Sequence, residues 1–251
     1  QIISMSLRKF PITLLFLTLL LVSCREAPQS STAPPRGPDP APSPKPLSEA
    51  FKAYWYAGEA ELTSFALQQA RYGEIREGHA VLVYVTEPFD PEKQVKDDQK
   101  DSNSVSVLKL NRTKKFLTGI YPYSIMSSIF HPVGDHMGTL KISTSIQEWC
   151  GHVYMQMNQR DSLELTGHSY FESEADMKAS LPKSMTEDGL WNTVRIAPGR
   201  LPQGPVSLIP SFEYLRLAHH PAKAYTTSAT LSEPGKQRTY TLTYPELNRT
   251  L

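Results

Sequence analysis

The strongest constraint on the fold is a mostly period-two alternation of apolar and polar residues, which recurs along the chain after residue 47. The run Ala80–Thr86 (AVLVYVT) is rich in β-branched and aromatic residues, and Pro88 ends it. Runs of this kind, separated at short intervals by turn residues, indicate antiparallel strands. The same pattern predicts further strands at residues 105–110, 115–121, 123–130, 139–145, 148–158, 162–172 and 240–244.

Other segments are less regular. Residues 61–72 fit either a helix face or a strand of a hairpin, and the flanking Gly58 and Gly73 favour the strand. Residues 47–56 predict a short amphipathic helix or a lead-in segment, and residues 172–183 predict a second helix. Two stretches predict loops: the charged segment 91–104 is expected to be exposed, and the proline-rich segment 198–210 to be irregular.

Together these elements predict a single, mainly β domain over residues 48–251. We expect an antiparallel curved sheet or incomplete β-barrel with one or two covering helices. A domain of this length can bury a substantial core without a metal or a disulfide. No closing element follows residues 240–244, so the domain could be truncated at its C-terminus.

The beginning of the chain has the pattern of an export signal. Arg8 and Lys9 precede an apolar run over residues 10–22, which is shorter than the roughly 20 residues of a membrane-spanning helix. The run ends in Leu21-Val22-Ser23-Cys24, which resembles the lipobox of bacterial lipoproteins. We therefore expect a signal peptide at residues 5–23 and acylation of Cys24, which would tether the mature protein to a membrane.

A spacer is expected between this anchor and the folded domain. Residues 24–47 contain eight of the 21 prolines and almost no bulky apolar side chain. Such a composition predicts an extended, semi-rigid linker. Arg25 follows the cysteine, so the aspartate that retains lipoproteins in the inner membrane of enteric bacteria is absent. We therefore expect an extracytoplasmic protein at the outer membrane, on its periplasmic face or at the cell surface.

Net charge and cysteine content limit the classes of partner and the bonds that this protein can form. A formal net charge of +1 and the export signal argue against a nucleic-acid partner. With Cys24 acylated, Cys150 is the one remaining cysteine and cannot form an intramolecular disulfide. We expect partners to be the membrane, through the N-terminal lipid, and a lipid or an envelope protein, and we expect no cofactor.

One segment, residues 147–154 (QEWCGHVY), carries candidate chemistry. On a continuous strand Glu148, Cys150 and His152 would share one face. They could then serve as a catalytic set, or Cys150 and His152 could bind a metal. Residues two apart on a strand are about 7 Å apart, so a metal ion would need a further ligand, such as His131, His136 or His168. The alternative is an ordinary half-polar strand face, with Cys150 as a small hydrophobe.

A second segment, residues 119–130 (GIYPYSIMSSIF), is apolar and aromatic. It could line a cavity for an amphiphile, or it could be ordinary core. The candidate ligand-binding residues in it are Tyr121, Tyr123, Met126 and Phe130.

Several long stretches resemble a family of uncharacterised Bacteroidetes lipoproteins, including RYGEIREGHAVLVYVTEPF, LKLNRTKKFLTGIYPYSIMSSIFHPV and LKISTSIQEWCGHVYMQMN. The resemblance covers most of residues 51–251, and members often carry the label "septum formation inhibitor Maf". The Maf family consists of cytosolic α/β nucleotide pyrophosphatases with an S-x-S-P-R-R motif near the N-terminus. This sequence has no such motif. The resemblance therefore implies that the protein is an envelope lipoprotein, and it assigns no catalytic residue.

These observations lead to a ranked set of functions. We expect a non-catalytic cell-envelope lipoprotein that binds an amphiphilic ligand or a protein partner. The alternative is an exported hydrolase or metal-dependent enzyme that uses Glu148, Cys150 and His152. A Maf-type nucleotide pyrophosphatase is least favoured, because the sequence has an export signal and lacks the motif.

Overall fold

A computed structural model describes residues 47–134, 138–233, 235 and 237–251 of the chain. The predicted signal peptide, Cys24 and the proline-rich segment up to residue 46 lie outside the described residues, as does His136. All described residues belong to one compact unit.

Most of this unit is a large antiparallel sheet of nine strands. The strands are β1 (Glu61–Arg71), β2 (Glu74–Asp90), β3 (Val95–Lys96), β4 (Val105–Thr118), β5 (Tyr121–Pro132), β6 (Lys141–Glu148), β7 (Gly151–Gln159), β8 (Leu163–Ser169) and β9 (Asp176–Leu181). Apart from the short β3, which pairs with β2, each strand pairs with its neighbours in the chain, so the sheet is a meander. Within the described residues the edge strands β1 and β9 do not pair, and the sheet is curved but not closed.

A second, smaller sheet and three helices complete the fold. The helices are α1 (Glu49–Trp55), α2 (Glu187–Ile196) and α3 (Phe212–Leu217). The sheet contains β10 (Met185–Thr186), β11 (Gly204–Ile209), β12 (Tyr225–Ser232), β13 (Thr239–Tyr244) and β14 (Arg249–Thr250), in that order. Each helix begins at a hydroxyl cap, because Ser48, Thr186 and Ser211 accept a hydrogen bond from a backbone N–H of the first turn.

The inner face of the large sheet, which packs against α2 and α3, contains the main core. Register pairs Leu110 with Ile129 and Ile129 with Ile142, so these buried side chains form a row across three strands. Leu190 of α2 and Phe212 of α3 belong to the same apolar cluster. Burial of this face explains the strong period-two pattern in the sequence. A strand that is buried on one face carries an apolar side chain at every second position.

A polar row crosses the inner face and divides its apolar packing. Arg112 pairs with Ser127, which pairs with Thr144, and the two hydroxyl oxygens lie 2.9 Å apart. On one side lies the main cluster, which includes the helices and the second sheet. On the other side lies a smaller cluster that contains Phe116 and Tyr123, whose rings stack with centroids 4.7 Å apart.

The predicted fold class is confirmed: the chain is mainly β, with a curved antiparallel sheet and a few helices. The strand interpretation of residues 61–72 is also correct, since they form β1. The helix predicted at residues 172–183 is wrong. Residues 170–175 form a turn and β9 follows, because Met177, Ala179 and Leu181 alternate and pack on the core.

Two further predictions need correction. The segment 198–210 is irregular only in part, because Gly204–Ile209 pair with β12 as a strand. The segment 91–104 is not fully exposed: Gln94 and Asp97 are buried. It lies beside an apolar cluster on the outer face of the sheet, formed by Phe89, Val107 and Leu140.

Candidate functional site

The predicted strand 148–158 is interrupted, which separates the candidate catalytic residues. Strand β6 ends at Glu148, β7 begins at Gly151, and Trp149 and Cys150 form the turn between them. Glu148 is buried on the inner face, whereas His152 is exposed on the outer face and Cys150 is exposed in the turn. The prediction that all three share one face is therefore wrong, although all three border one open surface depression.

The electrostatics of this turn do not favour a nucleophile. Oε2 of Glu148 accepts a hydrogen bond from the backbone N–H of Cys150 at 2.8 Å. The nearby carboxylate raises the pKa of the Cys150 thiol, and catalytic cysteines need a lowered pKa. In the described part of the chain, no group of three or more His, Cys, Asp or Glu side chains is placed to hold a metal ion. The proposed helper residues are engaged elsewhere, since His131 lies near Thr139 and His168 near Asp176.

The four candidate ligand-binding residues of β5 are dispersed. Tyr123 is buried on the inner face, and Met126 is exposed on the outer face. Phe130 packs against Phe89 on the outer face, with ring centroids 5.4 Å apart. Tyr121 lies at the start of the strand, edge-on to Trp149. The structure therefore does not bring Tyr121, Tyr123, Met126 and Phe130 into one cavity.

A cavity with a largely apolar lining lies elsewhere, between the inner face of β1, β2 and β4 and the two helices α2 and α3. Its volume is about 630 Å³, which is within the usual range for small-molecule sites. The side chains that form its apolar wall are Phe65, Leu67, Ala80, Leu82, Trp191 and Leu217. Register explains this wall, because Phe65 pairs with Ala80 and both face inward. Phe65 is 48% exposed, so part of the wall meets solvent.

Buried charges form the polar side of the cavity. Nη2 of Arg112 lies 2.8 Å from Oδ1 of Asp188 and 3.6 Å from Oε2 of Glu213. Nζ of Lys114 donates to Oε1 of Glu213 at 2.8 Å. Arg112 and Lys114 sit two apart on β4, so both face inward next to Leu82 and Ala80, their partners on β2. The cation-rich strand β4 therefore meets acidic residues from α2 and α3.

A second charged group closes the cavity near the end of the chain. Glu187 receives two hydrogen bonds from the guanidinium of Arg249, at 2.5 and 2.9 Å, and a third from the Tyr244 hydroxyl at 3.0 Å. Bidentate pairs of this kind are among the stronger ionic contacts. The ring of Tyr214 lies 4.0 Å from the Arg249 guanidinium carbon.

Burial and ion pairing set the pKa values in this network. Burial raises the pKa of Asp188, and the charge of Arg112 opposes that rise. Burial by itself would lower the pKa of Arg112, but the carboxylates of Asp188 and Glu213 outweigh it and raise the pKa. Burial would also raise the pKa of Glu187, but its bonds to Arg249 lower it. In each case an ion pair stabilises the charged form of a group that is shielded from water.

Two arginines at the cavity have unused hydrogen-bonding capacity. Within the described structure, the buried Nε–H groups of Arg71 and Arg112 have no acceptor. A buried donor without a partner costs about 1–3 kcal/mol. Both atoms are shielded from solvent in this structure, so a ligand with oxygen acceptors would reach them only after a shift of the arginine side chains. The cavity is therefore amphipathic, with an apolar wall on β1 and β2 and hydrogen-bond donors on the arginines.

The sequence held two signals for this site. Thr186 is followed by Glu187 and Asp188, a cap followed by acidic residues that predicts the start of a helix. Ser211 is followed by Glu213 in the same way. Neither signal identifies the sheet residues that the acids contact, because Arg112 and Asp188 are 76 positions apart.

No described helix is both long and apolar enough to cross a membrane. Comparison of the chain with protein-family models, with curated proteins and with solved structures finds no match, so its function must be inferred from the site itself.

Proposed function

We propose that this protein is a non-catalytic lipoprotein of the cell envelope that binds a single-chain amphiphile in the cavity between the large sheet and helices α2 and α3. The observation that carries the proposal is the apolar wall of this cavity, where Phe65 is partly exposed beside the buried Leu82. It lies next to the paired cations Arg112 and Lys114 of β4. Apolar side chains left open to water favour an apolar ligand, at roughly 25 cal/mol per Å² covered.

The polar side of the cavity supports a particular headgroup. Arg71 and Arg112 each offer a buried Nε–H without an acceptor among the described residues. A carboxylate or phosphate headgroup has the oxygen acceptors to satisfy such donors. Asp188 and Glu213 already balance part of the local positive charge, so binding would depend on hydrogen bonds as well as on net charge. We therefore propose an acyl chain against β1 and β2, with an oxygen-rich headgroup towards the arginines.

The location is part of the same proposal. The lipobox-like sequence that ends at Cys24 and the proline-rich segment after it would hold this cavity close to a membrane, where amphiphiles are abundant. Metabolic labelling with a palmitate analogue tests this part separately. The parent chain should incorporate the label, and Cys24→Ala should not. Equal labelling of the parent and the variant, or no labelling of the parent, would contradict acylation of Cys24 without bearing on the cavity.

Ligand binding can be tested with a matched pair of variants on β1. Phe65 lines the cavity, whereas Leu62, three residues earlier, points outward and is 68% exposed. We expect the parent protein to bind oleate in a 1:1 complex, seen by native mass spectrometry and titration calorimetry. Phe65→Ser should weaken binding about ten-fold, because an apolar contact surface is lost. Leu62→Ser should bind like the parent.

The headgroup is tested with oleyl alcohol, which has the same chain and no carboxylate. The alcohol should bind more weakly than oleate to the parent. Equal weakening by Phe65→Ser and Leu62→Ser would place the ligand outside the cavity and contradict the proposal. Stoichiometric zinc in the purified protein would instead support the metal-dependent enzyme.

A further inference from the structure

The hairpin turns at one end of the large sheet carry exposed apolar side chains. Because the sheet is a meander, the β1–β2, β4–β5, β6–β7 and β8–β9 connections all lie at the same end. The register places them within a few residues of one another along the strands, since Gly78 pairs with Phe116, Ser124 with Gln147, and Val153 with Ser169. The β1–β2 turn extends beyond the β4–β5 turn, and that turn extends beyond the β6–β7 turn. We call the exposed residues at this end, Ile75, Leu117, Ile120, Trp149 and Tyr170, the tip patch.

Each member of the tip patch is largely open to solvent. Ile120 is 76% exposed, Trp149 62% and Tyr170 79%. The chain is tightly turned at these points, since Gly119 adopts a φ of +62° and leaves Ile120 at the end of a two-residue turn. Short turns normally carry polar residues, so large apolar side chains at their ends are unusual and indicate an interaction site.

The opposite end of the sheet has a different character. The connection 91–104 contains Lys93, Lys96 and Lys100 among several acidic residues, and the turn 160–162 begins with Arg160 and Asp161. One end of the sheet is thus suited to water and the other to an apolar medium. Tryptophan and tyrosine together with aliphatic residues are typical of side chains that sit at the boundary between lipid and water.

We propose that the tip patch inserts into the surface of a lipid bilayer and forms a second membrane contact of this protein. The charges beside the tips are mixed: Arg76 is paired with Glu74, and Glu172 and Asp176 are exposed in and after the β8–β9 connection. Docking would therefore depend on apolar contact and not on the headgroup charge of the lipid. This inference goes beyond ligand binding, and it does not require the cavity to be filled.

The chain that precedes the described residues is long enough for this arrangement. Helix α1 is held near the far end of β2, where Thr86 donates to the carbonyl oxygen of Trp55 at 2.5 Å. Thr86 is twelve residues along β2 from Glu74, which corresponds to about 40 Å of strand. The predicted linker from Cys24 to residue 46 can span roughly 70 Å when extended. A lipid on Cys24 and the tip patch can therefore contact the same bilayer.

The test uses the mature chain from position 24 with Cys24→Ser, so that binding does not depend on the lipid. The probe is a vesicle of neutral phosphatidylcholine, and the readout is co-sedimentation at low and at high salt. The parent should bind, and high salt should not release it. The double variant Ile120→Ser/Trp149→Ser should reduce the partition coefficient about ten-fold or more, because two exposed apolar side chains are lost.

Controls separate this proposal from the others. Leu62→Ser removes an equally exposed apolar residue away from the tips and should bind vesicles like the parent. Phe65→Ser tests the cavity and should also retain vesicle binding. All variants alter exposed or partly exposed side chains, and their thermal midpoints should match the parent within a few degrees. Failure of oleate binding would leave this result unaffected.

Three outcomes would overturn the proposal. The first is a parent chain that does not sediment with neutral vesicles. The second is binding that appears only with anionic vesicles and disappears at high salt, which would indicate a charged surface. The third is equal binding by the parent and by Ile120→Ser/Trp149→Ser. Loss of a cross-link to an envelope protein in the double variant, without vesicle binding by the parent, would assign the tip patch to a protein partner instead.

Discussion

Arg112 of β4 and Asp188 of α2 form a buried ion pair that joins the inner face of the large sheet to the first turn of the helix packed on it. Their side chains are 7% and 0% exposed, and the donor and acceptor atoms are 2.8 Å apart. Oδ2 of Asp188 also accepts a hydrogen bond from the backbone N–H of Phe212 at 3.0 Å. One carboxylate therefore connects the sheet, α2 and α3.

Removing one partner of this pair should cost much of the stability of the fold. Asp188→Asn leaves the Arg112 guanidinium buried without its main counter-charge, which typically costs about 3–5 kcal/mol. We expect a loss of that size in the free energy of unfolding, measured by urea denaturation. The double variant Arg112→Met/Asp188→Asn should lose clearly less stability than the sum of the losses in Arg112→Met and Asp188→Asn. Additive losses would show that the two charges do not interact.

His131 should make the protein less stable in mild acid. Burial lowers the pKa of its imidazole from 6.5 to about 4. Between these two values the unfolded chain binds a proton that the folded chain does not, so stability falls as the pH drops from about 6.5 to about 4. The loss from this group amounts to roughly 3 kcal/mol at the lower limit.

The variant His131→Gln tests this effect. It removes the titrating group and retains a side chain that can hydrogen-bond to Thr139. The stability of the variant should depend less steeply on pH than that of the parent between pH 4 and 6.5, as measured by urea denaturation at several pH values. Parallel curves for the two proteins would mean that His131 titrates normally in the folded state.

The thiol of Cys150 should react slowly for an exposed cysteine. The carboxylate of Glu148 raises its pKa, so less thiolate is present at neutral pH. Glu148→Gln removes that charge and should increase the rate of alkylation by iodoacetamide at pH 7 several-fold. Glu172→Gln, on the next hairpin, serves as a control and should leave the rate unchanged. Equal rates in the parent and in Glu148→Gln would remove the electrostatic explanation.

Gly78 in β2 should not tolerate even a methyl group. A Cβ at this position would lie 2.1 Å from the carbonyl oxygen of Lys115 on the neighbouring strand. Alanine normally stabilises a strand relative to glycine. At this position the close approach of the two backbones outweighs that preference. We expect Gly78→Ala to destabilise the protein by about 1–3 kcal/mol. Gly199→Ala, which meets open space, should change the thermal midpoint little, and a similar result for Gly78→Ala would contradict the close contact.

The strands were predictable where burial on one face imposes alternation. Residues 139–145 and 240–244 alternate because Ile142, Thr144 and Leu242 are buried while their neighbours are more accessible. The turn at Trp149 and Cys150 was missed because neither residue is a typical turn former. The segment was therefore treated as one continuous strand, in which Glu148 and His152 would lie on the same face. The structure contradicts this, because the turn separates β6 from β7.

The helices and the cavity were harder to predict for a different reason. The segment 187–196 (EDGLWNTVRI) contains Gly189, Thr193 and Val194, which weaken an intrinsic helix signal. What fixes it as a helix is the cap at Thr186 and the pairing of Asp188 with Arg112, a contact between distant parts of the chain. The same contact forms the polar side of the cavity. Local patterns therefore predict the sheet, but not the charged site inside it.

The row of Arg112, Ser127 and Thr144 across the inner face has a mechanical consequence. Hydroxyl and guanidinium groups interrupt the apolar packing there, so the half of the sheet nearest the hairpin tips rests on a separate, smaller cluster around Phe116 and Tyr123. Fewer buried apolar side chains hold that half, with Leu217 of α3 reaching it, whereas the other half packs against α2, α3 and the second sheet. We therefore expect local opening of the sheet to begin on the tip side of this row.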